Sequence, residues 1–237
     1  MRLRSVFDAA TELVVEVHFG EGGQDSKQFV GELFSAYARY GESRGFRLSI
    51  LDSTHGHIVG KFVGQGVWQA FKHEAGQHAV QRYPETERGG RRHTSLVSVA
   101  VLPLPPERTQ KPLPPSEVEM TITTGSGPGG QARNKTETAV RLVHKPTGLV
   151  ASVDSRDQGQ NKKEALRILT AKVNELRNNE ASRAYGNMRQ AQLGGGNRGK
   201  KIRTYNFIDS RVTDHQLNTK TSRIDEVMRG KFSLILK

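Results

Sequence analysis

The chain of 237 residues suits one large or two small domains, and its composition, 34% hydrophobic with a net charge of +12, is that of a folded basic protein. The absence of cysteine excludes disulfides, thiolate metal sites and cysteine nucleophiles. No apolar run approaches the length of a membrane span, and the first residues lack the apolar core of a secretion signal. We therefore expect a cytoplasmic protein without membrane contact.

The excess of positive charge is concentrated in one third of the chain. Lysine and arginine number 14 against 14 acidic residues in 1–125, 16 against 6 in 126–203, and 6 against 4 in 204–237. Ten of the twelve excess charges therefore lie in the middle segment. Such concentration is typical of a protein that binds a polyanion, so nucleic acid is the leading predicted partner, ahead of an anionic membrane surface.

The first half of the chain predicts a mixed arrangement of strands and one long helix. Alternating apolar residues predict a strand over 13–19, and apolar residues at helical spacing predict a helix over 28–41. The turn from Gly20 to Asp25 has two interpretations, a dinucleotide-binding turn and a plain helix start with Asp25 as its cap. Further elements are predicted in order: strands at 47–51 and 57–63, a short strand or turn at 66–74, and a strand at 96–104.

Two groups of polar residues occur among these predicted elements. His55 and His57 lie two residues apart, but without cysteine or an acidic pair beside them they predict no metal site, and no cofactor is expected. The stretch 76–95 is a polar, turn-prone loop of hydroxyls, arginines and an imidazole. Nearly every side chain in this stretch can hydrogen-bond to a base or stack on one.

The second half begins after a proline-rich segment at 103–115, which predicts a stiff linker. Beyond it we predict a strand at 117–123, a hairpin of 138–144 with 149–153, a helix at 162–178, a strand at 202–207 and a helix over roughly 213–230. The fold class is therefore α+β in two parts, a mixed α/β body and a smaller basic α+β domain. The predicted boundaries are 1–12 for an N-terminal lead, 13–112 for the body, 113–193 for the basic domain, and 194–237 for a segment packing back on the body.

The segment Ser126 to Gln131 reads Ser-Gly-Pro-Gly-Gly-Gln and opens the basic third of the chain. Glycine and proline contribute almost no packing surface, so the loop is suited to bringing backbone N–H groups close to a polar group. A flexible surface loop is the alternative interpretation. Gln131 is the one side chain there with an amide able to donate and accept.

Three strings in this order resemble the class I bacterial peptide chain release factors. They are the Ser-Gly-Pro-Gly-Gly-Gln loop with Asn134 and Thr136, the block Arg203 to Phe207 with Arg211 to His215, and the stretch Ile224 to Gly230. The resemblance runs from about residue 13 almost to the C-terminus. It implies a translation termination factor in a form without the family's N-terminal helical domain.

The resemblance implies that Gly129, Gly130 and Gln131 enter the ribosomal peptidyl-transferase centre. There the loop promotes attack of water on the ester of peptidyl-tRNA, and the backbone N–H of Gln131 stabilises the oxyanion. Because this chemistry occurs only on the ribosome, the chain is not expected to be an enzyme by itself. In the family the glutamine is typically modified by a dedicated methyltransferase, which makes Gln131 the expected methylation site. The basic residues expected to bind rRNA are Arg133, Lys135, Arg156, Lys162 and Lys163.

The resemblance also implies a codon-reading site at the other end of the protein. Pro84-Glu85-Thr86 resembles the Pro-x-Thr motif of the factors that read UAA and UAG. Gly22 and Asp25 correspond to contacts with the first uridine, and Asp25 replaces a more usual glutamate. The remaining implied contacts are Thr86 to the second base, His93 stacking between the second and third bases, and Gln81 with Thr94 to a third base that is adenine or guanine.

The partners implied are the ribosome with its 16S and 23S rRNA, the mRNA stop codon and the P-site peptidyl-tRNA, with the protein acting as a monomer. Two alternatives stay open. One is a codon-independent rescue factor that hydrolyses peptidyl-tRNA on stalled ribosomes. The other is a basic RNA-binding module without hydrolytic activity.

Overall fold

The computed structural model describes residues 10–84, 92–104, 107–108, 110–124, 136–193 and 201–236. Contacts divide the chain into two compact units, one of residues 1–105 with 186–237 and one of residues 106–185. The boundaries between these units lie at 105/106 and 185/186. The sequence predicts boundaries at 112/113 and 193/194, and these stay predictions.

The described part of the chain consists mostly of strands, with helices between some of them. In chain order the elements are β1 (Glu12–Phe19), α1 (Gly23–Ser43), β2 (Arg47–Thr54), β3 (His57–Val63), α2 (Val67–Phe71), β4 (Gly76–Arg82), β5 (His93–Leu102), β6 (Val118–Thr123), β7 (Ala139–His144), β8 (Val150–Val153), α3 (Gln158–Leu193), β9 (Lys201–Asn206), β10 (Arg211–Asp214), β11 (Thr219–Thr221) and α4 (Ile224–Met228). No helix among the described residues is long and apolar enough to cross a membrane.

The first unit is built on an eight-stranded sheet in the order β11-β10-β9-β4-β5-β1-β3-β2. Strand β1 runs antiparallel to both of its neighbours, β3 and β5, so the glycine turn after it does not belong to a parallel βαβ unit. The dinucleotide interpretation of that turn is therefore wrong. Strand β9 is added parallel to β4, which brings the last strands of the chain into the same sheet.

Three predicted stretches differ in the structure. The stretch 76–95, predicted as a loop, begins with strand β4 and ends with the first residues of β5, because its backbone pairs in the ladders of β4 with β5 and with β9. The stretch 66–74, predicted as a strand or turn, contains the short helix α2, whose Val67, Ala70 and Phe71 are buried. The helix predicted over 213–230 is confined to α4, and its first part forms β10 and β11. The side chain of Asp214 accepts hydrogen bonds from the N–H groups of Gln216 and Leu217, which favours a turn over a helix at this point.

Helix α1 covers one face of the sheet and supplies much of the first unit's core. Its Phe29, Leu33 and Tyr37 are fully buried against alternate residues of β1 and β5. The period of 3.6 on the helix and of two on the strands brings both apolar faces together. Trp68, predicted to be packed, is partly buried against this core.

A cluster of buried charged side chains surrounds Arg203 on β9. Arg203 is fully buried, and its Nη1 donates to Glu74 Oε2 at 2.6 Å while its Nη2 donates to Asp214 Oδ2 at 2.8 Å. Tyr37 also donates its hydroxyl to Glu74 Oε2 at 2.8 Å. Burial lowers the pKa of the neighbouring His78 to about 4, so this imidazole is neutral at pH 7 and adds no charge.

The second unit packs α3 on the antiparallel sheet β6-β7-β8. Ala165, Leu169 and Val173 form the buried stripe of α3, as their helical spacing predicts. Leu166, which the sequence places in the same stripe, is 42% exposed. The helix extends well beyond the predicted 162–178 at both ends.

We expect Arg203→Met to lower the free energy of unfolding of the first unit by about 3–5 kcal/mol, because Glu74 and Asp214 are then buried without a counter-charge. Urea denaturation followed by the fluorescence of Trp68, which lies in this unit, measures the change.

The matched control is Arg211→Met, since Arg211 pairs with Asp209 at 3.7 Å between exposed side chains. It is expected to change stability by less than about 0.5 kcal/mol. Equal costs for the two variants would contradict a stabilising role of the buried cluster.

Candidate functional site

Helix α1 begins at one end of the eight-stranded sheet, directly against β5. The residue before the helix, Gly22, has φ 119°, which glycine adopts without strain. A Cβ built on Gly22 would lie 2.2 Å from the Oγ of Ser95. Backbone hydrogen bonds from Leu96 N to Glu21 O and from Gly20 N to Leu96 O fix the turn at this distance.

The carboxylate of Asp25 joins the helix start to two strands. Asp25 is 5% exposed, and its Oδ1 accepts from Arg82 Nε while its Oδ2 accepts from Ser95 Oγ, both at 2.6 Å. Arg82 also donates to both oxygens of Glu32 at 2.8 and 3.0 Å. Burial alone would lower the pKa of Arg82, but the hydrogen bonds to Glu32 and Asp25 raise it, so the guanidinium stays charged.

Both carboxylate oxygens of Asp25 are therefore engaged inside the protein. The contact of Asp25 with a first uridine, implied by the family resemblance, stays a prediction. The structure assigns to this carboxylate the positioning of the helix start. The expectation that Asp25 caps the helix is wrong, because both of its oxygens bond to other side chains and no described side chain caps the helix. Residues 21–24 are exposed, so backbone groups of this turn other than the Glu21 carbonyl, which accepts from Leu96 N, can contact a ligand.

Strands β4 and β5 form the two stalks of the loop that carries the predicted Pro-x-Thr motif. Their last pairs before the loop are Gln81 with Thr94 and Arg82 with His93. Pro84 is buried at the end of the β4 stalk. Glu85 and Thr86 lie outside the described residues.

The predicted third-base residues line one concave surface. Gln81 and Thr94 border a hollow of about 340 Å³, together with Lys201 at the start of β9. The side-chain oxygen of Gln81 accepts from Arg92 at 2.6 Å, which orients its amide. Tyr83, two residues after Gln81, is 56% exposed.

Sequence reasoning missed four residues at this site: Arg82, Ser95, Tyr83 and Lys201. Arg82 and Tyr83 directly precede the Pro-x-Thr motif, so the sequence alone could have indicated that they lie at the base of its loop. The contact of Ser95 with Asp25 depends on the packing of α1 against β5, and the position of Lys201 depends on the pairing of β9 with β4. No local pattern in the sequence indicates that Ser95 or Lys201 lies at this site.

The predicted catalytic and adjoining basic residues, Gly129, Gly130, Gln131, Arg133 and Lys135, lie outside the described part of the chain. They belong to the connection between β6 and β7, whose antiparallel ladder ends at the pair Thr123 and Ala139.

The start of α3 is hydrogen-bonded to the last residues of this connection. The side-chain amide of Asn161 donates to Thr138 O at 2.8 Å and to Ser155 O at 3.0 Å. Gln158 Nε2 donates to Glu137 O at 3.0 Å. The predicted rRNA-binding residues in this region, Arg156, Lys162 and Lys163, are all exposed.

Both halves of the chain match models of the domains of one protein class. Residues 4–99 match the PCRF domain, and residues 107–216 match the RF-1 domain. The chain belongs to the family of class I peptide chain release factors.

Named relatives agree with this assignment. The chain is 40% identical over 233 residues to peptide chain release factor 1 of Nitratiruptor sp., a match that covers 95% of this chain and 66% of the relative. It is 41% identical over 233 residues to peptide chain release factor 1 of Rubrobacter xylanophilus, covering 95% of this chain and 64% of the relative. The chain thus spans about two thirds of the length of these curated relatives.

Among solved structures, the fold is similar to that described as RF2 of Thermus thermophilus. The TM-score is 0.55 at 29% sequence identity, and the match covers 95% of this chain and 66% of the other. The predicted α+β fold in two parts is confirmed.

We expect Gly22→Ala to destabilise the helix start by about 2 kcal/mol, because the new Cβ meets Ser95 and φ 119° is strained for alanine. Hydrogen exchange of the amides at the start of α1 measures the local opening.

The control is Gly23→Ala, where φ is +60° and nothing lies within 4 Å of an added Cβ. It is expected to cost only about 1 kcal/mol. If the two variants opened equally, close approach to Ser95 would not be the constraint on Gly22.

Proposed function

We propose that the protein is a translation termination factor that reads UAA and UAG in the ribosomal A site and triggers hydrolysis of the peptidyl-tRNA ester. The observation that carries the proposal is the convergence of the exposed turn 21–24 with both stalks of the loop between Pro84 and Arg92. Three separate parts of the sequence meet there, each carrying residues assigned to the codon by the family resemblance.

The polar groups at this end suit a splayed, single-stranded codon. RNA of this kind is recognised by stacking and by hydrogen bonds to base edges. The backbone of Gly22, beside the helix start, can contact a base, and the ring of His93 can stack on one. Gln81 and Thr94 each have side chains that can donate and accept, which fits a third base that is either adenine or guanine. Thr86 is assigned to the second base.

Release is proposed to depend on Gly129, Gly130 and Gln131 in the connection between β6 and β7. The two glycines permit close approach, and the Gln131 N–H stabilises the oxyanion that forms when water attacks the ester. A side-chain amide is a poor acid or base, so no general-base role is assigned to it. Because the ester belongs to P-site tRNA, hydrolysis requires the ribosome.

Binding to the ribosome is proposed to involve rRNA contacts near the start of α3. Arg156, Lys162 and Lys163 are exposed there, and Arg133 with Lys135 follow the release loop in sequence. Lysine and arginine on phosphates position a protein without reading sequence. We also propose that a glutamine methyltransferase modifies Gln131.

Peptide release from ribosomes programmed with UAA, UAG, UGA, a sense codon or an empty A site tests the proposal. We expect release on UAA and UAG and at least about 100-fold less on UGA and the sense codon, because a codon-reading site rejects bases that leave its polar groups unpaired. Equal release on sense codons or an empty A site would instead indicate a rescue factor. Ribosome binding without release on any codon would indicate a non-hydrolytic RNA-binding module.

The same assay separates the backbone of Gln131 from its side chain. Gln131→Pro removes the N–H and is expected to lower release by about 100-fold or more, whereas Gln131→Ala keeps the N–H and is expected to lose less. A larger loss for the alanine variant would contradict the assigned role of the backbone. Gln190→Ala, at an exposed position near the end of α3, controls for a general effect of losing a glutamine side chain.

A further inference from the structure

Three side chains able to bind a metal ion meet on β1 and β3. Glu16 and His18 point to the same side of β1, and His18 stands directly opposite His57 in the antiparallel pair. One ligand atom from each of Glu16, His18 and His57 lies within 4.8 Å of the other two. The cluster lies on different residues from those assigned to codon reading or release.

The ring of His57 is oriented by an acidic neighbour. Its Nδ1 lies 3.2 Å from Asp52 Oδ2, while its Nε2 is buried and has no hydrogen-bond partner among the described residues. A histidine that binds a metal through one nitrogen commonly donates its other N–H to a carboxylate, which fixes the ring and its tautomer. The arrangement of His57 matches this pattern, with Nε2 left for the ion.

A positively charged group already occupies the other side of the cluster. Arg189 Nε donates to Glu16 Oε2 at 2.6 Å, and Arg189 Nη2 lies 3.3 Å from His18 Nε2. Glu16 Oε2 also lies 3.1 Å from His18 Nε2. The guanidinium therefore contacts two of the three candidate ligands, as a bound cation would. The side chain of Arg189 is 40% exposed, so it has room to withdraw toward solvent.

We propose that a divalent transition-metal ion, with Zn²⁺ as the best fit, binds Glu16 Oε2, His18 Nε2 and His57 Nε2 in exchange for Arg189. Two imidazoles and one carboxylate are a donor set that zinc accepts, with water at the fourth position. Zinc holds nitrogen at about 2.0–2.1 Å, so two ligand atoms on one ion stand at most about 4.2 Å apart. The rings of His18 and His57 stack at 4.0 Å with a tilt of 26°. Because an imidazole binds a metal along its ring plane, the two rings must turn out of this stack until both Nε2 atoms face one ion.

Isothermal titration of the full chain, freed of metal and titrated with ZnCl₂, tests the site. We expect one Zn²⁺ per chain, with binding weakened at least about tenfold by His57→Ala and by Asp52→Asn, which leaves the three ligands in place. Arg189→Gln is expected to tighten binding, because it removes the competing cation. Circular dichroism establishes that each variant is folded.

The matched control is His55→Ala, because His55 is exposed, two residues from His57, and contacts the side chain of Gln24 instead of the cluster. It is expected to leave zinc binding unchanged. The proposal is overturned if the chain does not bind stoichiometric zinc, if folded His57→Ala and Asp52→Asn bind as tightly as the parent, or if His55→Ala weakens binding equally.

Discussion

The carboxylate of Asp25 is the contact on which the end of the first unit that carries the proposed codon site depends. It bonds to Arg82 on β4 and to Ser95 on β5, and so holds the start of α1 against both strands. A buried carboxylate is tolerated only when its charge is paired and its oxygens are hydrogen-bonded. The pairing with Arg82 thus stabilises the helix start and leaves the neighbouring turn 21–24 exposed. Rigid support under an exposed turn is what a proposed codon contact requires, because misplaced donors do not discriminate between bases.

Charge is distributed according to the chemistry proposed for each region. Residues 1–125 are neutral overall, which suits a site that reads base edges by hydrogen bonds, whereas the basic excess lies in 126–203. Within the first unit the buried cation of Arg203 pairs with both Glu74 and Asp214 and serves the core. Exposed lysines at the start of α3 remain available to phosphate groups. The family assignment rests on both regions together, since each half matches a different domain of the same class.

The strands β1, β3, β5, β7 and β8 and the helices α1 and α3 could be predicted from their apolar residues, which recur at the spacing of a strand or a helix. Periodicity could not predict the end of the chain, where the turn made by Asp214 replaces helix by hairpin. Pro84, inside a recognisable motif, and Gln81, three residues before it, could be named as candidate site residues from the sequence. Ser95, Lys201 and the His18–His57 pair could not, because their neighbours are set by strand pairing over long distances in the chain.

The most direct test of the proposed codon site is photo-crosslinking from 4-thiouridine placed at the first position of a UAA codon in the ribosomal A site, with the labelled peptide identified by mass spectrometry. The geometry predicts a crosslink within residues 20–28, where the exposed turn precedes the anchored Asp25. A crosslink confined to the second unit, residues 106–185, would contradict it.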